Sequence, residues 1–576
     1  MQVLARDEDS TEVSTGQLPT PWHRRPWPIA GVLFSLYVVL GLLVDVNGHL
    51  ASDIGGKIPS VEAMAESNSF DPDIGYWFED ADPQGRFHPY FSTKLTSNGT
   101  WINSTTLVML LPARFLWSLG GLRAILLLPM LGSLLAAFAA RRLHRRLQPD
   151  SDGSSSMWVV GLSSPALVYA FSFWEHSWGL GLMLAGITYV LDTCDENGNA
   201  KAALLSGLAF GAAATMRQEA LVYGFIGGLA IAATWAWRKQ WNSAGRFSAL
   251  FSVGAIFPVA LNALLEIYVL GTSIRTARAS ATAASSSVST NDRIFDGLGS
   301  TIGAVSSRDF FSWTVTLLLA VSMLGLAVSV WRRSYIRDRP RATLIAVLVS
   351  WALWAAIIWL VGPVVVPGSM IAAPLSIFGL VGAVTTPRWR LPLAIGVLGP
   401  LPLVLATGFV GFGFAQWGGR YHLASTGVLV VMGLIWLAER DRTVLRVILG
   451  CTALVTVVGV VFVVNKTHEV GDAVQQIEQT TTPETVVVWR DSLVAREFGE
   501  QVRGRNWLSA TNLQSQRELE RLLLDQGISS FVWIAPPEFE SGFVEFTPSA
   551  PQDTLERFEA DIIVMTSRGN VSTVSQ

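Results

Sequence analysis

In two short segments of this chain, ionisable residues follow just after apolar runs. A charge near lipid costs free energy, so such residues usually mark functional sites. Asp53 and Lys57 lie one helical turn apart after the first apolar run, and Glu175 and His176 share the tight turn FSFWEHSW. A carboxylate so placed can act as a general base, and the lysine can hold an anion. The structural alternative is a solvated turn, a local ion pair or a helix end.

Two further segments carry arginines in the same kind of position. Arg217 and Glu219 lie in ATMRQEALVYGF, and Arg420 and His422 lie in FAQWGGRYHLAS. Snorkelling or mutual ion pairing would explain either arginine without a function. Taken together, the four segments predict one cavity with a carboxylate for base chemistry and two cations for an anion. Aromatic residues that can stack on sugar rings are Trp77, Trp174, Trp178 and Trp417.

An acidic cluster precedes these segments in SFDPDIGYWFEDADPQG. Divalent cations such as Mg²⁺ or Mn²⁺ favour oxygen ligands, which makes Asp71 and Asp73 the candidate metal ligands, although their spacing matches no calcium loop. A solvated acidic surface is the alternative. Cys194 and Cys451 have no metal-site spacing, so zinc and redox chemistry are excluded.

The composition requires a membrane. The chain has 576 residues, of which 50% are hydrophobic and only 15% are charged, which is too apolar for several soluble domains. Its net charge of −3 provides no basic surface for a phosphate backbone, so nucleic acid is not an expected partner.

A window of about 19 residues finds thirteen apolar runs, give or take one. They lie near 28–45, 122–140, 157–173, 178–191, 202–215, 220–237, 248–270, 310–331, 343–362, 369–385, 391–411, 422–438 and 447–464. The segment 104–121 contains Pro112 and Arg114, which favours an interfacial or re-entrant helix. Lys and Arg residues in alternate connections indicate which side is the cytoplasm. We therefore expect a multi-pass protein of the cytoplasmic membrane with a cytoplasmic N-terminal tail at 1–27.

Two substantial polar segments are then extracytoplasmic: the first loop, 46–104, and the tail, 466–576. The first loop is too aromatic to be a disordered linker and should pack on the membrane surface. In the tail we predict strands over 485–490, 529–536 and 561–567 and helices over 515–527 and 551–560. The predicted fold class is an all-α polytopic transmembrane bundle over 28–465 with a small extracytoplasmic α/β C-terminal domain. No phosphate loop or nucleophile elbow occurs in the tail.

This order of features resembles the GT-C superfamily of membrane glycosyltransferases, in an actinobacterial form, across nearly the whole chain. The resemblance rests on an acidic residue after the first span, a long first loop and the tail, together with the segments FWEH, GLAFGAAATMRQEA and QWGGRY. It implies a polyprenyl-phosphate-linked sugar as donor and a glycan, lipid or protein of the cell envelope as acceptor, with membrane lipid around the protein. It implies no certain cofactor, and Mg²⁺ or Mn²⁺ is the cation to consider.

The resemblance also implies roles for single residues. Asp53 would be the base of a one-step inverting transfer, although Asp71 or Asp73 could equally serve. Arg217 and Arg420 would stabilise the departing phosphate, helped by His176 and His422, or Lys57 would do so instead. Glu175 and Glu219 complete the expected donor site. The segment reads MRQEA where many relatives have Arg-Pro-Glu, which is a departure from the pattern.

Two other functions are consistent with a protein that has many membrane spans and charged residues at their ends. A transporter or lipid flippase should show internal repeats and broken segments at midspan, and the sequence shows neither convincingly. A non-catalytic envelope assembly protein would use the tail as a binding module, and it would tolerate replacement of Asp53.

Overall fold

The structure is a computed structural model of the chain. It describes residues 24–49, 52–90, 93–103, 106–163, 165–273, 301, 304–305, 310–332, 340–361, 365–406, 417–489, 499, 503–510, 513–528, 530–535, 559–565 and 571–574.

Most of the described chain is helical, and the helices follow the predicted apolar runs. The first eleven are α1 Pro26–Gly41, α2 Ser52–Gly55, α3 Ile58–Glu66, α4 Leu107–Ile125, α5 Leu127–Leu147, α6 Ser154–Leu162, α7 Ala166–Tyr169, α8 His176–Thr193, α9 Ala200–Met216, α10 Glu219–Trp237 and α11 Trp241–Leu270. The others are α12 Phe310–Arg332, α13 Pro340–Val361, α14 Ser369–Ala372, α15 Leu375–Thr385, α16 Arg390–Leu393, α17 Pro400–Ala406, α18 Leu423–Arg440, α19 Arg442–Thr480 and α20 Leu513–Asp525. A π-helical turn at Ala394–Leu398 and 3-10 turns at Pro387–Trp389 and Arg420–His422 complete them.

Five helical segments within the described residues are long and apolar enough to cross a membrane, which makes the chain a multi-pass membrane protein. They are Leu107–Ile125, Glu219–Trp237, Trp241–Leu270, Arg420–Arg440 and Arg442–Thr480. Four predicted runs, 122–140, 157–173, 369–385 and 391–411, are each divided between two α-helices. The total of thirteen spans stays a prediction. Residues 107–125, which we expected to be interfacial or re-entrant up to 121, are one of the five, but the helix is broken at Gly120 and Gly121.

Close helix packing depends on glycines at the crossing points. A Cβ atom at Gly207 of α9 or at Gly254 of α11 would overlap a backbone carbonyl oxygen of the other helix. The same is true of Gly379 in α15 and Gly433 in α18. Small residues permit such contact between membrane helices, where no hydrophobic effect drives association. The bundle is therefore dense around the helices that carry the predicted site.

The tail contains a five-stranded sheet. Its strands are β5 Val487–Trp489, β6 Trp507–Ser509, β7 Ser530–Ala535, β8 Glu559–Met565 and β9 Val571–Val574, in the order β6-β5-β7-β8-β9. All neighbours are parallel except β8 and β9. Two small sheets precede it, β1 Thr93–Leu95 with β2 Trp101–Asn103 and β3 Ala304–Val305 with β4 Val365–Val366.

Three of these strands, β5, β7 and β8, match the predicted ones, and α20 matches the helix predicted over 515–527. Strands β6 and β9 were not predicted. The helix predicted over 551–560 is wrong at its last two residues, which begin β8, because parallel pairing with β7 outweighs their local helical pattern. Residues 551–558 lie outside the described part of the chain.

The first loop packs against the tail and the end of α19 in one hydrophobic core. Ser509 N donates to the Phe87 carbonyl at 2.8 Å, and Trp77 Nε1 donates to the Trp507 carbonyl at 3.0 Å. The buried residues of this core include Tyr76, Phe78, Phe87, Tyr90, Trp101, Val474, Ile477, Val487, Trp489, Trp507, Leu508 and Ile534. The loop and the tail are therefore parts of one folded unit.

His88 makes the stability of this unit depend on pH. Its ring is 6% exposed and packs on Tyr76 and Trp101, and Nδ1 accepts a hydrogen bond from Tyr90 N at 3.1 Å. Burial lowers the pKa of His88 to about 4, although Asp82 opposes the shift. In the unfolded chain His88 binds a proton as the pH falls through about 6.5. In the folded protein its ring stays neutral until about pH 4, so the unfolded chain binds more protons between these values. The stabilisation is complete above the higher of these two values and is lost as the pH falls towards 4.

We expect the free energy of unfolding of this unit to fall by up to roughly 3 kcal/mol between pH 7.5 and pH 4 on account of His88. Thermal unfolding followed by tryptophan fluorescence measures the change. His88→Phe should reduce the pH dependence, whereas His468→Phe, which alters an exposed ring, should leave it unchanged. Equal pH dependence in both variants would show that another group is responsible.

Candidate functional site

Helix ends bring the predicted residues together. Glu175 and His176 stand where α8 begins, Arg217 follows the end of α9, and Glu219 is the first residue of α10. Because successive helices run in opposite directions, the start of α8, the end of α9 and the start of α10 reach the same face of the bundle. Lys57 immediately precedes α3.

Lys57 and Glu175 form a buried ion pair between the first loop and α8. The Lys57 Nζ atom lies 2.7 Å from both carboxylate oxygens of Glu175, and the two side chains are 3% and 6% exposed. Burial removes the hydration of both charges, and their mutual attraction offsets this cost. The pair therefore fixes the first loop to the bundle.

Arg217 and Glu219 form a second buried pair at the α9–α10 turn. Arg217 Nε donates to Glu219 Oε1 at 2.8 Å, with side-chain exposures of 11% and 3%. The guanidinium carbons of Arg217 and Arg420 lie 5.4 Å and 4.7 Å from the centre of the Tyr421 ring. Both guanidinium groups therefore lie close to the same ring, that of Tyr421.

The His176 ring lies beside these charges. It stacks on Tyr169 with ring centres 4.7 Å apart and an angle of 6° between the planes, and it contacts Trp174 at 4.6 Å. The positive charges of Lys57, Arg217 and Arg420 all act on it. The ring is 1% exposed.

Three buried nitrogen atoms of the site have no hydrogen-bond partner in the part of the chain that the structure describes. They are Nδ1 and Nε2 of His176 and Nη2 of Arg217. Buried polar atoms are normally satisfied, so such atoms indicate a place for water or a ligand. An arginine N–H can only donate, which favours a ligand with acceptor oxygens.

We name these residues the cation–carboxylate cluster: Lys57, Tyr169, Glu175, His176, Arg217, Glu219, Arg420 and Tyr421. Tyr169 and Tyr421 were not among the predicted residues. Tyr421 is adjacent to Arg420 in QWGGRY, which is the only hint that the sequence contains. His422 is buried at the end of the same 3-10 turn. Asp53 lies in α2, four residues before Lys57, but its side chain lies outside the described part of the structure.

The turn before Arg420 has a conformation that requires glycine. Gly418 and Gly419 have φ values of 73° and 63°, which side chains other than glycine rarely adopt. A Cβ atom at Gly418 would stand 2.6 Å from the ring of Pro165. The backbone is also anchored by hydrogen bonds from Tyr169 Oη to the Trp417 carbonyl at 2.7 Å and from Gly418 N to the Pro367 carbonyl at 2.8 Å. The motif QWGGRY thus positions Arg420.

The acidic residues of the first loop have structural partners. Asp73 Oδ1 accepts hydrogen bonds from Gly75 N at 3.1 Å and from Trp101 N at 2.8 Å, and Asp71 Oδ1 lies 3.4 Å from Thr100 Oγ1. No three His, Cys, Asp or Glu side chains in the described ranges are grouped so that they could hold a metal ion.

Of the four tryptophans predicted to stack on sugars, Trp174 contacts His176. Trp178 donates to the Leu128 carbonyl at 2.8 Å, and Trp417 packs on Phe462 with ring centres 5.7 Å apart. Trp77 joins the first loop to the tail.

Comparison with known proteins gives remote structural likeness only. No protein-family model and no curated protein matches the chain. The oligosaccharyltransferase of Archaeoglobus fulgidus in complex with Zn and sulfate is similar over 84% of this chain, with 12% identity and a TM-score of 0.44. This chain covers 62% of that protein, which is less than two thirds. ArnT from Cupriavidus metallidurans bound to undecaprenyl phosphate is similar over 81% of this chain and 84% of its own, with 14% identity and a TM-score of 0.37.

Proposed function

We propose that the protein is a membrane glycosyltransferase that moves a sugar from a polyprenyl-phosphate-linked donor to an acceptor hydroxyl. The observation that carries this proposal is the buried cation–carboxylate cluster, whose Arg217 and His176 retain hydrogen-bonding atoms without described partners. A phosphate is the ligand that suits this arrangement, because its oxygens accept hydrogen bonds and its negative charge would be stabilised by Arg217 and Arg420. The site lies at helix ends within a multi-pass membrane protein, where the phosphate of a lipid-linked donor would lie.

The cluster suits the departure of the phosphate. As the bond between the anomeric carbon and the phosphate oxygen breaks, negative charge develops on that oxygen. Arg217 and Arg420 would stabilise this charge in surroundings that exclude water, where electrostatic interactions are strong. His176 would donate or accept a hydrogen bond beside them. Lys57 is bonded to both carboxylate oxygens of Glu175, whereas Arg217 keeps Nη2 without a described partner beside its bond to Glu219. We therefore assign Lys57 to the positioning of the first loop rather than to the phosphate.

Asp53 is the proposed base. It would remove the proton from the acceptor hydroxyl while the hydroxyl oxygen attacks the anomeric carbon from the side opposite the phosphate. One carboxylate and an anionic leaving group suffice for this one-step transfer, which inverts the anomeric configuration. No step in this scheme requires a metal, and Mg²⁺ or Mn²⁺ at Asp71 and Asp73 stays a prediction.

The remaining assignments follow from topology. We infer that the N-terminus is cytoplasmic and that the first loop and tail lie outside the cytoplasmic membrane, because Lys and Arg residues favour the cytoplasmic side. The first loop and the tail would then form an extracytoplasmic unit above the site. An acceptor belonging to the cell envelope fits this location.

Transfer of radiolabelled sugar from a panel of polyprenyl-phosphate donors, by the purified chain in lipid, tests the function. We expect Arg217→Gln combined with Glu219→Gln, which leaves no unpaired buried charge, to lower the rate about a hundredfold. The matched control is Arg142→Gln, which removes an exposed pair with Asp192 and should leave the rate unchanged. If the protein with Arg217→Gln and Glu219→Gln transfers sugar as fast as the unmodified chain, the phosphate binds elsewhere. If the unmodified chain transfers no sugar from any donor, a flippase or an assembly protein is favoured.

A further inference from the structure

Arg503 of the tail contacts the helix that begins directly after Lys57. Its Nη1 atom lies 2.5 Å from Glu66 Oε2 and 3.5 Å from Glu62 Oε2. Glu62 and Glu66 are four residues apart, so they occupy the same face of α3. One arginine of the tail thus holds two carboxylates of the first loop.

The bundle holds the other side of α3. Ile58, Val61 and Met64 are buried in the core of the membrane helices. Arg114 of α4 donates to the Met64 carbonyl at 3.1 Å and to Asn68 Oδ1 at 2.7 Å. Because α3 is fixed between the bundle and the tail, its first turn has little freedom. Val61 N donates to the Lys57 carbonyl at 3.2 Å, which ties the backbone of Lys57 to this turn.

We propose that the tail is a brace for the site and that Arg503 is a positioning residue, which acts on α3 and through it on Lys57 and on the α2 segment that carries Asp53. The role in transfer rests on the proposed function, whereas the mechanical role does not. Loss of the contacts from Arg503 would loosen α3 without removing any group that touches the substrate. The tail would then serve catalysis, although it contains no recognisable active-site motif of its own.

The matched control lies two residues away. Arg505 pairs with Glu478 of α19 at 3.3 Å and, among the described residues, forms no ion pair with α3. Arg505→Gln therefore removes the same charge from the same part of the tail. Arg503→Lys keeps the charge and serves as the conservative variant.

The experiment measures hydrogen exchange of residues 58–66 and transfer kinetics in the full-length protein. We expect Arg503→Gln to speed exchange of this segment about fivefold, while Arg505→Gln has no such effect. Arg503→Gln should also lower kcat severalfold with little change in KM, whereas Arg503→Lys should keep most of the kcat of the unmodified protein.

Equal exchange of α3 in the Arg503→Gln and Arg505→Gln proteins would overturn the brace. Faster exchange with an unchanged kcat would overturn its role in positioning. If the unmodified protein transfers no sugar but Arg503→Gln still loosens α3, the mechanical brace stands and the proposed function fails.

Discussion

Replacement of Asp53 by asparagine is expected to lower the rate of sugar transfer by a factor of roughly 10³ without unfolding the protein, because a positioned general base contributes about 10² to 10⁴. The amide keeps the shape of the carboxylate but has no basic oxygen to remove the acceptor proton. Donor binding should be preserved, since the phosphate would contact the arginines. Single-turnover transfer with saturating donor measures the chemical step.

Asp71→Asn is the comparison for this prediction, because Asp71 and Asp73 are the alternative candidates for the base. Asp73 Oδ1 accepts two backbone amides, whereas Asp71 Oδ1 lies 3.4 Å from the Thr100 hydroxyl. Its replacement should change the rate by less than about twofold, as expected for a surface change. A large loss in Asp71→Asn together with full activity in Asp53→Asn would identify Asp71 as the base. Asp73→Asn is less informative, since it weakens two hydrogen bonds of the loop.

Replacement of Glu175 by glutamine is expected to destabilise the protein by about 3–5 kcal/mol, because it removes the buried carboxylate that lies 2.7 Å from the Lys57 ammonium. The double replacement Lys57→Met with Glu175→Leu should cost much less than this single change, since neither charge is then left alone. Thermal unfolding in detergent, followed by tryptophan fluorescence, measures both effects.

An exposed ion pair supplies the control for this second prediction. Arg388 and Glu439 lie 3.2 Å apart, and their side chains are 55% and 41% exposed. Glu439→Gln should therefore change stability by less than about 1 kcal/mol. If Glu175→Gln is as mild as Glu439→Gln, the Lys57 charge must find other compensation, and the first loop is not held by this pair.

Local pattern in the sequence was sufficient for the helices and for part of the tail. Apolar runs become helices because a backbone in lipid must satisfy its own hydrogen bonds, whatever the neighbouring segments are. Strands β5 and β7 were recognisable because they are apolar on both faces, as expected of buried parallel strands, and β8 because of its apolar run Ile562–Met565. The segments that carry Lys57, Glu175, Arg217 and Arg420 could be selected for the same reason, since an ionisable residue next to an apolar run is conspicuous.

Only the tertiary structure decided which of these residues are partners. Lys57 and Glu175 are 118 positions apart, and no periodicity in a sequence reports a contact over that distance. For the same reason the sequence could not predict that Tyr169 and Tyr421 belong to the cation–carboxylate cluster. Nor could it predict that the first loop packs on the tail, where Arg503 pairs with Glu66, 437 positions away. Side-chain type alone also does not reveal that Asp73 Oδ1 accepts hydrogen bonds from two backbone amides. Local chemistry thus determined which elements form, and long-range packing determined what each charged side chain does.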